Sequence, residues 1–469
     1  MKKLFITLVI LCMTFGVTEA ENVKKREKKQ ENTELTADGK TIKKGWNVAP
    51  FPSIGYNSDI GFTIGALCEL FNYGDGSTYP QYRHKFNVEA SYSTKGQITT
   101  HFFYDSSYLI PKVRLTTAVT YLLNTMYPFH GFNGAASPFE ESYNCNRDNA
   151  TAMYNINRHM VRVLSDIQGN IYKNKLRWAA GISFWYYKIN DITLKKYAMT
   201  DNEYLIGNNI HSASLYQLYR KAGLIRAEEA EGGSHIEFKA GLVFDNREHE
   251  ADPTRGIWAE VYAYGSPAIF HRRNNYLKLA AHFRQYLPLW RDKIVFAYHL
   301  AYQGTIAGEA PYYTLQNIST LYLRQIASDG LGSINTVRGT RLNRVVGDGY
   351  AWANFEMRFK LWSFKFIKQN WYIATNPFFD MGACIQPYRL AEMQQVARTQ
   401  TSLDGATRLT PEEVALIYRG DAEKLHMSAG LGLKLAMNRN FILSAEFAFP
   451  FNHASDGKFG TNIGLNYIF

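Results

Sequence analysis

The chain of 469 residues carries 52 Lys and Arg against 41 Asp and Glu, a net charge of +11, and its 32 Tyr and 29 Phe far outnumber its 8 Trp. No stretch after the N-terminus approaches the roughly 20 apolar residues that a membrane helix needs, which excludes a helical membrane protein. The length exceeds one ordinary soluble domain without showing an internal boundary, and mean hydropathy is slightly polar, as in a strand-rich chain whose lipid-facing and lumen-facing residues average out.

Residues 1–20 read as a secretory signal. Lys2 and Lys3 form its positive start, Leu4 to Val17 its apolar core, and Thr18-Glu19-Ala20 offers small residues for cleavage. Cys12 follows Ile10 and Leu11 rather than a small residue, which argues against lipid attachment. Residues 21–48 are charged and low in aromatics, and read as a disordered lead-in. Cys68, Cys145 and Cys384 are far apart and form no CxxC or metal spacing. No metal or cofactor is expected. Either one pair forms a disulfide or all three are small apolar residues. For an exported basic chain, nucleic acid is excluded as a partner. The charge suits anionic lipid head groups, or a generally solvated surface.

From residue 49 to 469 the chain alternates. Phe86, Val88, Ala90 and Tyr92 oppose Lys85, Asn87, Glu89 and Ser91; Ala351, Ala353, Phe355, Met357 and Phe359 oppose Asn354, Glu356, Arg358 and Lys360. Side chains alternate faces along a strand, and many segments exceed the usual globular strand of about five or six residues, matching a tilted membrane crossing. Strands are expected near 50–56, 61–71, 84–93, 97–106, 112–124, 152–167, 174–189, 234–245, 256–265, 274–287, 292–307, 348–362, 370–385, 425–437, 440–450 and 458–469. The segment 152–167 alternates poorly, because Arg158 and Arg162 share a face with Ile156 and Met160. Thr410-Pro411-Glu412-Glu413 has the make-up of a helix start, and residues 211–230 have helical character.

The fold class is therefore all-β, an antiparallel transmembrane barrel of about 16 strands. Membrane barrels have short inner turns and longer outer loops. With the first strand starting inside, every long connection (125–151, 190–233, 308–347 and 386–424) falls on the outer side. The last strand places Ile463, Leu465, Tyr467 and Phe469 on one face and Asn462, Gly464 and Asn466 on the other. A barrel needs such a strand to close against its first.

The sixth outer loop, 308–347, contains Val337-Arg338-Gly339-Thr340. Glu356 lies on the inward face of the next strand, and Asp380 on the inward face of the one after, with Asn376 and Gly382. An arginine carried inward could reach both carboxylates, and a guanidinium fork suits paired carboxylates. Such a buried pair would fix the loop inside the barrel.

On these residues the chain resembles the BamA/TamA superfamily of bacterial outer-membrane barrels, the bacterial surface antigen family. That family's sixth loop folds into the lumen with a VRG(F/Y) motif whose arginine pairs with acids on the next two strands, matched here by Arg338, Glu356 and Asp380. The segments Phe244–Arg247 and Asp252–Gly256 look like its inner turn before the ninth strand, and Gly55–Gly61 like its opening hairpin. Phe469, with Leu465 and Tyr467, fits its assembly signal. Thr340 departs from the motif, which usually has an aromatic there. Residues 21–48 cannot hold a POTRA domain, so the resemblance is to a branch without them.

The resemblance implies an outer-membrane location and assistance in inserting or translocating polypeptide or lipid, with outer-membrane lipids including lipopolysaccharide as partners and room for a periplasmic or lipoprotein partner. In the family the first and last strands pair weakly; Pro52, Gly55, Gly460 and Gly464 are compatible with a soft seam here. The alternative is a passive pore or structural surface barrel. An enzyme is not expected: there is no GxSxG elbow, and His101, His211, His282 and His299 have no nucleophile partner in sequence.

Overall fold

The computed structural model describes residues 42–79, 81–144, 153–192, 214–250, 252–268, 275–319, 330–332, 334–366, 369–437 and 441–465. Sixteen strands run in chain order: β1 Trp46–Asn57, β2 Gly61–Asn72, β3 His84–Ser93, β4 Gln97–Ile110, β5 Val113–Pro128, β6 Asn155–Tyr172, β7 Leu176–Asp191, β8 Gly232–Asp245, β9 Gly256–Ser266, β10 Tyr276–Trp290, β11 Ile294–Gly308, β12 Gly349–Phe366, β13 Gln369–Gln386, β14 His426–Met437, β15 Phe441–Pro450 and β16 Gly460–Leu465. Each pairs with its chain neighbours, and β16 returns to β1 to close the barrel. Closure lets the strands satisfy one another's backbone groups, the requirement for a sheet in lipid.

Alternation sorts the side chains. Phe62, Ile64, Phe102, Val119, Ile182, Leu300 and Leu431 are exposed on the outer wall, while Asn354, Glu356, Asn376 and Asp380 are buried within. One rim carries short connections such as 111–112, 173–175 and 291–293, and the longest connections, 129–154, 192–231, 309–348 and 387–425, all share the other. That rim is the outer one.

Of the boundaries that differ from the sequence reading, three bear on how the barrel is built. The lead-in does not extend to residue 48: Trp46 already pairs with Asn72 of β2, so 46–48 belong to the barrel. β6 starts at Asn155 and runs to Tyr172, and its Arg158 and Arg162 do face the lumen with Ile156 and Met160. Their guanidinium carbons lie 3.4 Å from the Tyr127 ring centroid and 5.3 Å from that of Trp185, so cation–π contacts admit charge to a partly apolar face. β12 continues to Phe366 because a bulge between Lys360 and Trp362 shifts its register. An extra residue reverses the alternation, which keeps Trp362 and Phe366 exposed beside Leu361.

The long loops fold over the outer mouth as a dome with its own apolar core, including Phe129, Phe132, Tyr216, Tyr219, Tyr312, Tyr388, Met393, Val414 and Ile417. Helix α1, Leu215–Lys221, is capped by Ser214, whose hydroxyl accepts from the Gln217 N–H. Helix α2 spans Leu390–Thr399. Helix α3, Pro411–Ile417, opens on Thr410 and Glu413 in a reciprocal capping box. Asn133 ties three loops: its backbone N–H donates to Val346 O at 2.6 Å, its side-chain amide to Tyr388 O at 2.8 Å, and its Oδ1 accepts from Tyr388 N at 2.6 Å. Residues 1–41, including the expected signal, lie outside the described residues, as do Cys145, His211, Tyr467 and Phe469. Cys384 is a buried free thiol on β13.

Candidate functional site

The end of the sixth outer loop turns back into the barrel. Leu331 and Val345 form an isolated antiparallel bridge that closes the loop on itself. Thr336 Oγ1 accepts from Gly332 N at 3.0 Å and holds the turn between them. Val337 is fully buried, against Gly382 of β13, where an added Cβ would lie 3.0 Å from Val337 Cγ2. Gly339 takes φ +83°, a conformation that glycine adopts at no steric cost. A Cβ on it would come 2.7 Å from that of Ala448 on β15, so backbone packs directly on the wall.

Between them Arg338 is delivered to the lumen wall, 2% exposed. Its Nε and Nη2 donate to Asp380 Oδ2 and Oδ1 at 2.7 and 2.8 Å, and its backbone N–H to Oδ2 at 3.0 Å. Nη1 donates to Glu356 at 2.6 Å and reaches Glu446 at 3.4 Å. The guanidinium carbon stands 3.5 Å from the Phe378 ring centroid. The acids have further cations: Arg358 Nε donates to Glu356 at 2.9 Å and Lys434 Nζ to Glu446 at 2.6 Å. Three cations thus face three carboxylates, and the cluster is neutral as a whole. Burial alone would weaken the Arg338 proton's hold, but the adjacent Asp380 and Glu356 charges outweigh it and keep its pKa above the ordinary value. Asn354 completes the shell, donating to Asp380 Oδ1 at 2.9 Å and Thr336 O at 2.5 Å.

The structure therefore brings Arg338, Glu356 and Asp380 together, with Val337, Gly339 and Thr340 shaping the tip. Thr340 is buried and closes the turn, its N–H donating to Val337 O at 3.3 Å. Among the described residues its Oγ1 has no hydrogen-bond partner. Leu465 lies on β16 opposite Leu443. The sequence reading missed Glu446 and Lys434 as members of the cluster, although both occupy inward positions of β14 and β15. His282 and His299 stand 3.1 Å apart in the wall, and His282 Nε2 also contacts Ser319 O at 2.8 Å.

Two further residues carry no signal in sequence. Arg344, buried, donates from Nη1 to Gly134 O at 2.8 Å, from Nη2 to Ser137 O at 3.0 Å and from Nε to Ser455 O at 3.0 Å. Asp59, in the turn between β1 and β2, accepts from Leu342 N at 3.2 Å. Burial raises its carboxyl pKa above the ordinary value, and the Leu342 N–H, Lys95 and Arg341 pull against that rise. Beside these residues a cavity of about 290 Å³ is lined by Asp59, Lys95, Arg338, Arg341, Lys458 and Thr461, among others.

The barrel's closure lies next to this cavity. Among the described residues β1 and β16 share only the registered positions Tyr56↔Ile463 and Asn57↔Asn462, continued by Ser58 N donating to Thr461 O at 3.0 Å. On its other edge β1 pairs with β2 along its whole length, from Trp46↔Asn72 to Asn57↔Gly61. Gly55 abuts the seam: a Cβ there would meet Ile463 O at 2.8 Å.

Residues 84–467 match the Omp85 superfamily domain. No curated protein sequence matches significantly. Among solved structures, a BamA from Haemophilus ducreyi lacking POTRA domains 1-3 is similar at a TM-score of 0.53 and 15% identity, over 97% of this chain and 79% of that one. CdiB from Escherichia coli is similar at a TM-score of 0.52 and 10% identity, over 93% of this chain and 67% of that one. At such identities the likeness concerns the fold.

Proposed function

The chain belongs to the Omp85 superfamily and is an integral barrel of the bacterial outer membrane; from this premise we propose that it assists insertion or translocation of polypeptide or lipid by parting its wall between β1 and β16. One observation carries the reading: among the described residues the seam registers only at Tyr56↔Ile463 and Asn57↔Asn462, beside the full-length pairing of β1 with β2. Each of these registered hydrogen bonds contributes only about 0.5–1.5 kcal/mol net. The outward face of the seam, with Ile54, Tyr56 and Ile463 exposed, would open onto lipid rather than water. On this reading the barrel is a conduit and not a catalyst. Its partners are outer-membrane lipids, including lipopolysaccharide, and a periplasmic or lipoprotein protein that presents the client.

The alternative of a passive pore is disfavoured by the loop and dome that occupy the lumen and its outer mouth. The test is a disulfide lock. Tyr56→Cys and Ile463→Cys stand directly opposite, at a spacing that antiparallel strands and disulfides share. The oxidised protein should lose its ability to promote client-barrel folding into vesicles and regain it on reduction. Equal activity in the oxidised and reduced forms would refute lateral opening, and large steady currents in a planar bilayer would favour the pore.

A further inference from the structure

The tip of the sixth loop does more than occupy the lumen: it touches both sides of the closing seam. Adjacent backbone N–H groups donate in opposite directions. That of Arg341 goes to Asp456 O at 2.9 Å, in the loop between β15 and β16. That of Leu342 goes to Asp59 Oδ1 at 3.2 Å, in the turn between β1 and β2. Each end is reinforced. On the β16 side, Arg344 donates to Ser455 O and Oγ at 3.0 and 3.1 Å, and a Cβ on Gly460 would lie 2.5 Å from Gly339 Cα. On the β1 side, Asp59 N donates to Asn57 Oδ1 at 2.7 Å, and Lys95 Nζ donates to Ser58 O at 2.8 Å.

We infer that residues Gly339–Arg344 are a clasp across the seam: they hold the first and last hairpins together from inside the barrel, and the wall parts only when the clasp lets go of one of them. The inference rests on the lateral-opening reading only for its purpose; the clasp itself is a statement about seam geometry. The described strand ladder at the seam consists of Tyr56↔Ile463 and Asn57↔Asn462, extended at Ser58 and Thr461. The clasp adds backbone hydrogen bonds to both hairpins, Arg341 N to Asp456 O and Leu342 N to Asp59 Oδ1. Arg338, bound to β12, β13 and β15, anchors the clasp to the wall away from the seam's β1 edge. Arg344 extends it to the third loop through Gly134 O and Ser137 O, so a ligand or partner that displaced the dome would also slacken the clasp. Asp59 and Arg344 are thus positioning residues for the seam.

The test reads seam spacing without any client. Nitroxide labels are placed on the exposed positions Ile54 of β1 and Phe449 of β15, in the full chain reconstituted in lipid, and their separation is measured by pulsed dipolar spectroscopy. Asp59→Ala removes the acceptor; Asp59→Asn keeps an acceptor oxygen. The Ala variant should gain a component longer by about 5 Å or more, one strand width, and the Asn variant should match the parent. Arg344→Ala should act like Asp59→Ala. If Arg344→Ala fails to fold, judged by heat-modifiable mobility, Asp59→Ala decides alone. A folded Asp59→Ala barrel with the parent's distance distribution overturns the clasp. A widened seam in a protein without insertion activity sinks the function while leaving the clasp intact.

Discussion

Replacing Arg338 with alanine removes one guanidinium from three carboxylates, and the structure says where the cost falls. Glu356 keeps Arg358 at 2.9 Å and Glu446 keeps Lys434 at 2.6 Å. Asp380, buried at 0% exposure, loses both arms of the fork and, among the described residues, has no other cation. It keeps only the Asn354 amide and the backbone N–H of residue 338. Breaking a buried pair on one side costs about 3–5 kcal/mol, because the remaining charge is uncompensated. The loss should therefore be repaired from the acid side. Asp380→Asn in the Arg338→Ala background should recover about 2–3 kcal/mol relative to the sum of the single losses, the coupling expected within one ion-pair network. Arg338→Lys should fall between, since an ammonium keeps the charge and loses the fork. Urea unfolding in vesicles, followed by tryptophan fluorescence and heat-modifiable mobility, gives the free energies, and hydrogen exchange over 334–348 reports loop release. If the double variant's loss equals the sum of the single losses within about 0.5 kcal/mol, the charge-pair account of this anchor is wrong.

Thr340→Val should be neutral or stabilising by up to about 1 kcal/mol in the same unfolding assay, because it removes a buried hydroxyl that has no hydrogen-bond partner among the described residues, at almost no change in shape; a loss above about 1 kcal/mol would point to a partner for that oxygen. The dome should loosen in acid. Burial pushes the Glu309 carboxyl upward, but hydrogen bonds from Arg226 and Arg389, and their charges, outweigh it and hold it below its ordinary value. A depressed carboxyl stabilises the folded state fully above its unfolded pKa and loses that contribution as pH falls through the folded value, here below the ordinary 4.5. Protease sensitivity of the outer loops should therefore rise with acidification below about pH 4.5, and Glu309→Gln should remove that part of the pH dependence; an unchanged acid profile in Glu309→Gln would show that other groups set it.

Much of this architecture was legible because its rules are local. Period-two alternation marks each crossing, and connection length marks the rim. The strand parity of Glu356 and Asp380 puts both on the lumen wall, within reach of an arginine in the preceding loop. The bulge at Lys360/Trp362 broke that local rule, so β12 read too short. Trp46 read as lead-in because its strand identity comes from its partner, Asn72. The grip of Arg341, Leu342 and Arg344 on Asp456, Asp59 and Ser455 uses mostly backbone groups, which every residue possesses and no residue type announces. The sequence by itself determined a lipid-facing wall, a polar lumen and a charged loop tip, since these follow from side-chain chemistry at fixed spacing. Only the tertiary structure decided that Tyr56 faces Ile463 across the closure and that the loop tip reaches both hairpins there, because register across the seam depends on how the whole cylinder curls and not on either strand alone.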